Sequence, residues 1–371
     1  MNWELLESDQ DLEDMLKDAA GRSFVAVDTE FMRRNTFYPQ AALLQLCFDE
    51  IAWLIDPLAI SDLSPLIELM EDRNIVKILH SASEDLEVFQ HWLGVLPQPL
   101  FDTQRAAAMV GRGFGMGYRA LVQDIEGVDL PKGETRSDWL QRPLTDSQCD
   151  YAALDVIHLL PVWKQLDAEC LAQGRREWVL DDGADATNSL ASAANGYHKK
   201  IKTAWKLNGR QLGLLAAVCD WRERTARKKD KPRGWIIDDK ACLQLAQINP
   251  RNLSDFQGSI DLPPPAIRRY GDELLDLLAR ESERPDDTMP QPLGKPLEAG
   301  ERNTLKQLKN TVKQIATAAS MTPEILLSGK DYEMLIREAR GEKIDPPVSW
   351  LGWRNTLVIE PLRLQLSGAV Q

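Results

Sequence analysis

The hydrophobic pattern changes character along the chain. Over about the first 175 residues, short apolar runs alternate with stretches of helical period. FVAVDTEF (24–31) is rich in β-branched residues and predicts a strand. ALLQLCF (42–48) and IAWLI (51–55) flank Asp49-Glu50, which predicts a hairpin. VKILH (76–80) predicts another short strand, with a helix on each side. Ser81-x-x-Glu84 is a capping-box pattern for the helix that follows, with Ser83 as the alternative cap. Thr145-x-x-Gln148 is a second capping box. Its helix runs toward Pro161, where the missing N–H predicts a kink. Strands with a hairpin, followed by alternating helices and strands, imply a mixed α/β sheet covered by helices.

Residues 181–198 are small and polar without a period and predict a linker. Beyond them the pattern is helical throughout. One block spans 199–283, RPDDTMPQPLGKP (284–296) holds four prolines and predicts a second linker, and a last helical block spans 297–371. The expected organisation is therefore an α/β domain over 1–180 and two all-helical domains.

Charge adds a distinction that the pattern lacks. The net charge of −13 points away from a nucleic-acid partner. Residues 1–198 carry 15 basic and 34 acidic side chains, however, while residues 199–371 carry 29 and 23. An acidic front and a basic back call for separate roles. No apolar run approaches the roughly 20 residues of a membrane span. The acidic N-terminus does not resemble a signal peptide, and the five scattered cysteines suit a reducing compartment. A cytoplasmic protein without a membrane partner is expected.

Period-two alternation places Asp28 and Glu30 on one face of their strand. Two such charges about 4 Å apart repel by roughly 4 kcal/mol at an effective dielectric of 20. Either the strand end is solvated, or a proton, a basic group or a divalent cation offsets the repulsion. Tyr151 and Asp155, four apart, share a helix face with His158 nearby. They read either as a half-buried tyrosine beside a solvated acid, or as a hydroxyl placed to orient water beside a metal-binding carboxylate. Asp85, with Glu84 and Glu87, also reads simply as an acidic first turn favoured by the helix dipole. His80 reads as structural and His158 as a possible site-lining residue. The alternating Gly111, Gly113, Gly115 and Gly117 match no phosphate-cradling pattern and read as a flexible connection.

Taken together, VDTEF (27–31), HSASEDLEVF (80–89) and SDWLQRPLTDSQCDYAALD (137–155) resemble the three motifs of the DEDD superfamily of 3′–5′ exonucleases. Tyr151-x-x-x-Asp155 resembles its tyrosine-bearing subclass. YPQAALLQL (38–46), IDPL (55–58) and LPQPLFDTQ (96–104) are similar to the ribonuclease D family. The resemblance implies a ribonuclease H-like mixed sheet flanked by helices, followed by two all-α domains. It implies that Asp28, Glu30, Asp85 and Asp155 serve two divalent ions, Mg²⁺ or Mn²⁺, and that Tyr151 orients the attacking water. It further implies a monomer that removes 5′-mononucleotides from the 3′ ends of RNA such as tRNA precursors. A DNA exonuclease of the same superfamily and a non-catalytic RNA-binding adaptor are the alternatives.

The basic half carries a second resemblance. Residues 210–246 and RRYGDELLDLLAR (268–280) are similar to the HRDC domain, a helical nucleic-acid-binding module. Its candidate phosphate contacts are Arg222, Arg224, Arg227, Lys228, Lys229, Lys231 and Arg233, although a charge run also suits a solvated helix face. The last block resembles a second, divergent HRDC domain through EIL (324–326) and GKDYEMLIREAR (329–340), with Lys306, Lys309 and Lys313 forming a basic stripe. Trp350 and Trp353 read as core aromatics or as a docking surface.

Overall fold

In the computed structural model of the chain, six strands form one mixed sheet in the order β1-β4-β3-β2-β5-β6. They are β1 (Trp3–Leu6), β2 (Phe24–Met32), β3 (Gln40–Cys47), β4 (Ala52–Ile55), β5 (Val76–Leu79) and β6 (Leu100–Asp102). The structure describes residues 2–18, 21–131, 133–134, 136–192 and 196–368. The pairs β2–β3 and β3–β4 are antiparallel, the latter joined at the hairpin that Asp49-Glu50 predicts. β5 pairs parallel with β2 and β6 with β5, while β1 pairs parallel with β4 on the far side. The mixed sheet predicted from the pattern is therefore present, with two short edge strands added.

Helices cover both faces: α1 (Asp9–Asp18), α2 (Ser64–Glu71), α3 (Ser83–Trp92), α4 (Thr103–Met109), α5 (Tyr118–Glu126), α6 (Asp146–Ile157), α7 (Leu159–Ala172) and α8 (Arg176–Ser192). Val25 and Val27 of β2 point into a layer with Leu12, Leu66, Leu86 and Phe89 from α1, α2 and α3. Ala26 points the other way, into a layer with Ala152, Ala153, Val156 and Val162 from α6 and α7. This alternation commits Asp28 and Glu30 to the α6 side and Thr29 to the α3 side.

Three local expectations change. Ser81 does not cap α3, because its backbone is left-handed (φ 59°). Asp102 instead accepts from the N–H groups of Ser81 and Ala82, each at 3.1 Å, while also capping α4. Thr145 does form its capping box with Gln148. The helix it starts ends at Ile157, and Pro161 falls in the first turn of α7, where a backbone N–H would have no helical partner and its absence costs no hydrogen bond. The linker expected over 181–198 is helical as far as Ser192.

The described chain divides into two compact units, one of residues 1–32, 39–190 and 297–371, the other of residues 33–38 and 191–296. The second unit is built from α9 (Gly209–Lys229), α10 (Arg233–Ile236), α11 (Asp239–Ile248) and α12 (Pro264–Ser282) around Leu215, Trp221, Leu245, Phe256 and Leu274. The last block, α13 (Glu301–Ala318), α14 (Pro323–Leu326), α15 (Gly329–Ala339) and α16 (Glu360–Gly368), is not a free-standing domain as expected. It shares a core with α4, α6 and α7. Asp182 on α8 accepts from Arg354 at 2.5 and 2.9 Å and from Arg105 at 2.5 Å. Trp178 stacks on Trp353 with centroids 4.6 Å apart, so Trp353 belongs to this packing. Trp350 is buried as well. Gly111 approaches Ser320 so closely that a Cβ would lie 2.7 Å from its carbonyl oxygen. No helix among the described residues is long and apolar enough to cross a membrane.

Candidate active site

β2 and α6 bring the acids together. One carboxylate oxygen each from Asp28, Glu30 and Asp155 lies within 4.8 Å of the others. Among the described residues this is the sole such grouping of His, Cys, Asp or Glu. Asp85 stands beside it rather than in it. Thr29 points into the opposite layer and donates its hydroxyl to Asp85 Oδ1 at 2.5 Å. Asp102, which takes the N–H groups at the start of α3, fixes the loop that presents Asp85.

α6 is held at its entry as well as by its core face. Arg142 donates to both oxygens of buried Asp56, at 2.5 and 2.6 Å, and to the carbonyls of Ala42 and Trp139 at 2.6 and 2.8 Å. This anchors the loop that ends in the Thr145 box. Trp139 lies 6.1 Å from the Tyr151 ring, centroid to centroid. Gly133 approaches that ring so closely that a Cβ would come within 2.2 Å of Cδ2. Tyr151 is thus confined by its neighbours.

The electrostatics follow from crowding acids into a poorly hydrated place. Burial first, then Asp85, Asp155 and Glu30, push Asp28 well above the ordinary carboxylate range. Burial, with Asp155 and Asp85, pushes Glu30 to about 9. Burial and Asp85 push Asp155 to about 7. Burial pushes Asp85 to about 7 against the lowering effect of the Thr29 hydroxyl. Burial, then Asp155, Glu30 and Asp28, also raise the Tyr151 phenol, which therefore keeps its proton at neutral pH. At neutral pH the cluster retains protons unless a cation compensates its charge. Its donors are all hard carboxylate oxygens, which fits a divalent ion of the magnesium or manganese type.

Two neighbours were not signalled by the sequence. Tyr118 donates its hydroxyl to the Leu154 carbonyl at 2.9 Å, and its phenol is raised by burial and then by Asp155 and Asp28. Thr29, which seats Asp85, carries no pattern of its own. His80 is satisfied structurally, by the Thr103 hydroxyl at 2.9 Å and the Met116 carbonyl at 3.1 Å. His158 pairs with Glu126 at 3.1 Å.

The basic run on α9 and α10 divides by environment. Arg222 is a correction: it is 2% exposed, lies 2.8 Å from Asp239 and donates to the Ile237 carbonyl at 3.1 Å. It falls on the same stripe as Val218, Cys219 and Ala226, which makes it a core residue and not a phosphate contact. Arg227 and Arg233 both pair with Glu223 and both lie over the Phe37 ring, at 4.8 and 4.6 Å. Lys229 donates to the Tyr270 hydroxyl at 3.0 Å and Lys231 to the Asn35 carbonyl at 3.3 Å. Arg224 and Lys228 are exposed.

Comparison with known proteins agrees with this geometry. Residues 4–170 match the 3′–5′ exonuclease family model, and residues 211–278 match the HRDC domain. The chain is 40% identical to ribonuclease D of Pseudomonas paraeruginosa, covering 98% of this chain and 97% of that protein. It is 36% identical to ribonuclease D of Escherichia coli, covering 98% of each. The crystal structure of Escherichia coli RNase D, described as an exoribonuclease involved in structured RNA processing, superposes with a TM-score of 0.91 at 35% identity over 99% of both chains.

Proposed function

The chain belongs to the ribonuclease D family of 3′–5′ exoribonucleases, and on that premise we propose that Asp28, Glu30 and Asp155 hold two divalent ions, Mg²⁺ or Mn²⁺, at its active site. The single observation that carries this reading is the convergence of three carboxylate oxygens within 4.8 Å beside Tyr151. Bound divalent ions supply the positive charge that activates water and stabilises charge developing on the scissile phosphate. The protein's own groups do the rest. Asp28, Glu30 and Asp155 give up the protons that crowding lets them retain and become ligands. Asp85, fixed by Thr29, reinforces the negative field from behind β2. Tyr151, protonated and crowded by Trp139 and Gly133, offers a fixed hydroxyl to orient the attacking water. The products are 5′-mononucleotides released one at a time from the 3′ end.

The proposed substrate is structured RNA with a free 3′ end, tRNA precursors in particular, handled in the cytoplasm by a monomer. Arg224 and Lys228, with the outward surfaces of Arg227, Lys229 and Lys231, are the proposed phosphate contacts of the helical unit. Arg233 orders that surface through Glu223. The last block repeats the order of a long helix, a four-residue helix, a medium helix and a terminal helix found in α9–α12, which supports reading it as a divergent HRDC-like module.

The test is single-turnover hydrolysis of a short RNA by the wild type and by Tyr151→Phe. Loss of a positioned hydroxyl is expected to slow cleavage about 10²–10⁴-fold, in the range of general acid–base contributions. EDTA is expected to abolish cleavage. A rate unchanged by EDTA would overturn the metal assignment, and full activity in Tyr151→Phe would remove the tyrosine from it.

A further inference from the structure

Gln45 stands directly across from Asp28 in the β2–β3 register. On β3 it alternates with Leu44 and Leu46, which face the α3 layer, and shares its side with Leu43 and Cys47 in the α6 layer. That is the side on which Asp28, Glu30 and Asp155 converge. Its side chain is fully buried, at 0% exposure, and neither Oε1 nor Nε2 has a hydrogen-bond partner among the described residues. Leucine or methionine would fill such a position without the penalty of an unpartnered amide, and buried polar groups without partners are rare. Directly opposite residues place their Cβ atoms about 4.5–5.5 Å apart, so a glutamine amide spans the distance to the facing carboxylate by side-chain rotation alone. Asp28 receives one donor locally, the N–H of Thr29.

We propose that Gln45 is a positioning residue for Asp28. When the cluster is loaded, rotation of its side chain brings the amide N–H₂ to donate to an Asp28 carboxylate oxygen, and so fixes the carboxylate in the orientation that binds metal. The proposal rests on the metal reading given above. It assigns to Gln45 the work that outer groups perform around metal ligands, where they orient the ligand and set its basicity. An amide suits the task better than a second acid, because it donates without adding charge to an already crowded cluster.

The experiment compares full-length wild type with Gln45→Met and Gln45→Leu by two measurements. The first is the melting temperature in EDTA, and the second is Mn²⁺ affinity from free-Mn²⁺ electron paramagnetic resonance. The variants are expected to melt at or above the wild-type temperature, because an unpartnered amide is replaced by apolar atoms. Their Mn²⁺ affinity is expected to fall about 10–100-fold, the range typical of such outer groups. The Mn²⁺ concentration giving half-maximal RNA hydrolysis should rise in parallel, with KM for RNA at saturating Mn²⁺ unchanged. Wild-type Mn²⁺ affinity in both variants would overturn the proposal. A lowered melting temperature or failure to fold in both would assign Gln45 to packing and overturn it equally. Wild type that binds no Mn²⁺ would instead overturn the metal reading on which it rests.

Discussion

Stripping metal from the acidic cluster makes stability fall as pH rises, opposite to the usual behaviour of paired carboxylates. Asp155 shows the size of the effect, since its carboxyl moves from an ordinary 3.8 to about 7. Between those values the native protein keeps a proton that the unfolded chain has released. The native state therefore binds more protons, and stability declines with pH through this window. For one such group, the loss between pH 5 and pH 8 is on the order of 2–3 kcal/mol. At about 2–4 °C per kcal/mol for a unit of this size, the melting temperature drops by about 5–10 °C. The assay is thermal unfolding in EDTA at half-unit pH steps, with Asp155→Asn as the comparison, which cancels groups remote from the cluster and also eases the Asp28 and Glu30 carboxyls that Asp155 pushes up. Wild type should descend more steeply than Asp155→Asn. Mn²⁺ should raise the wild-type melting temperature at pH 8, where fewer protons compete for the carboxylates, more than at pH 5. Identical slopes in the two proteins, or a melting temperature that climbs with pH only in wild type, would refute the reasoning.

Other consequences concern the framework. Asp182→Ala leaves Arg354, 6% exposed at the side chain, without its carboxylate, and should cost about 3–5 kcal/mol in urea unfolding of the exonuclease-containing unit; a loss below about 1 kcal/mol would show that the last block does not depend on this pair. Removing the exposed charges of Arg224 and Lys228 together should weaken RNA binding and flatten its salt dependence, with little effect on hydrolysis of a very short oligomer. Arg222→Ala should instead lower the melting temperature of the helical unit, because it empties a buried site; unchanged stability with weakened RNA binding would return Arg222 to the RNA surface. Gly133→Ala should slow hydrolysis without lowering overall stability, since the added methyl displaces the Tyr151 ring, and a wild-type rate would show that the ring yields freely.

How much of this was legible before the structure depended on the range of the forces involved. The β-branched content of 24–31 and its period of two were sufficient to place Asp28 and Glu30 together, because a strand dictates facing locally. Thr145 and Gln148 marked the start of α6 for the same reason, and four-residue spacing aligned Tyr151 with Asp155. What escaped was settled by partners distant in sequence. Ser81 lost its expected capping role because Asp102, 21 residues later, takes those N–H groups. The proline-rich segment marked a boundary before the last block, but not the pairing of Asp182 with Arg354 across 172 residues that attaches it. β1 and β6, of four and three residues, are too short to show alternation. Arg222 was misplaced although a signal existed. Within the basic run it falls inside the Val218, Cys219 and Ala226 stripe, mid-helix, and the helical period should have outweighed the charge.

The most direct test of the central claim follows 5′-labelled and 3′-labelled RNA with wild type and Asp28→Asn in Mg²⁺, and with wild type in EDTA. The account predicts a descending single-nucleotide ladder from the 5′ label and immediate release of labelled mononucleotide from the 3′ label. It predicts neither for Asp28→Asn, nor for wild type in EDTA. Undiminished cleavage by Asp28→Asn, or by wild type in EDTA, would contradict it.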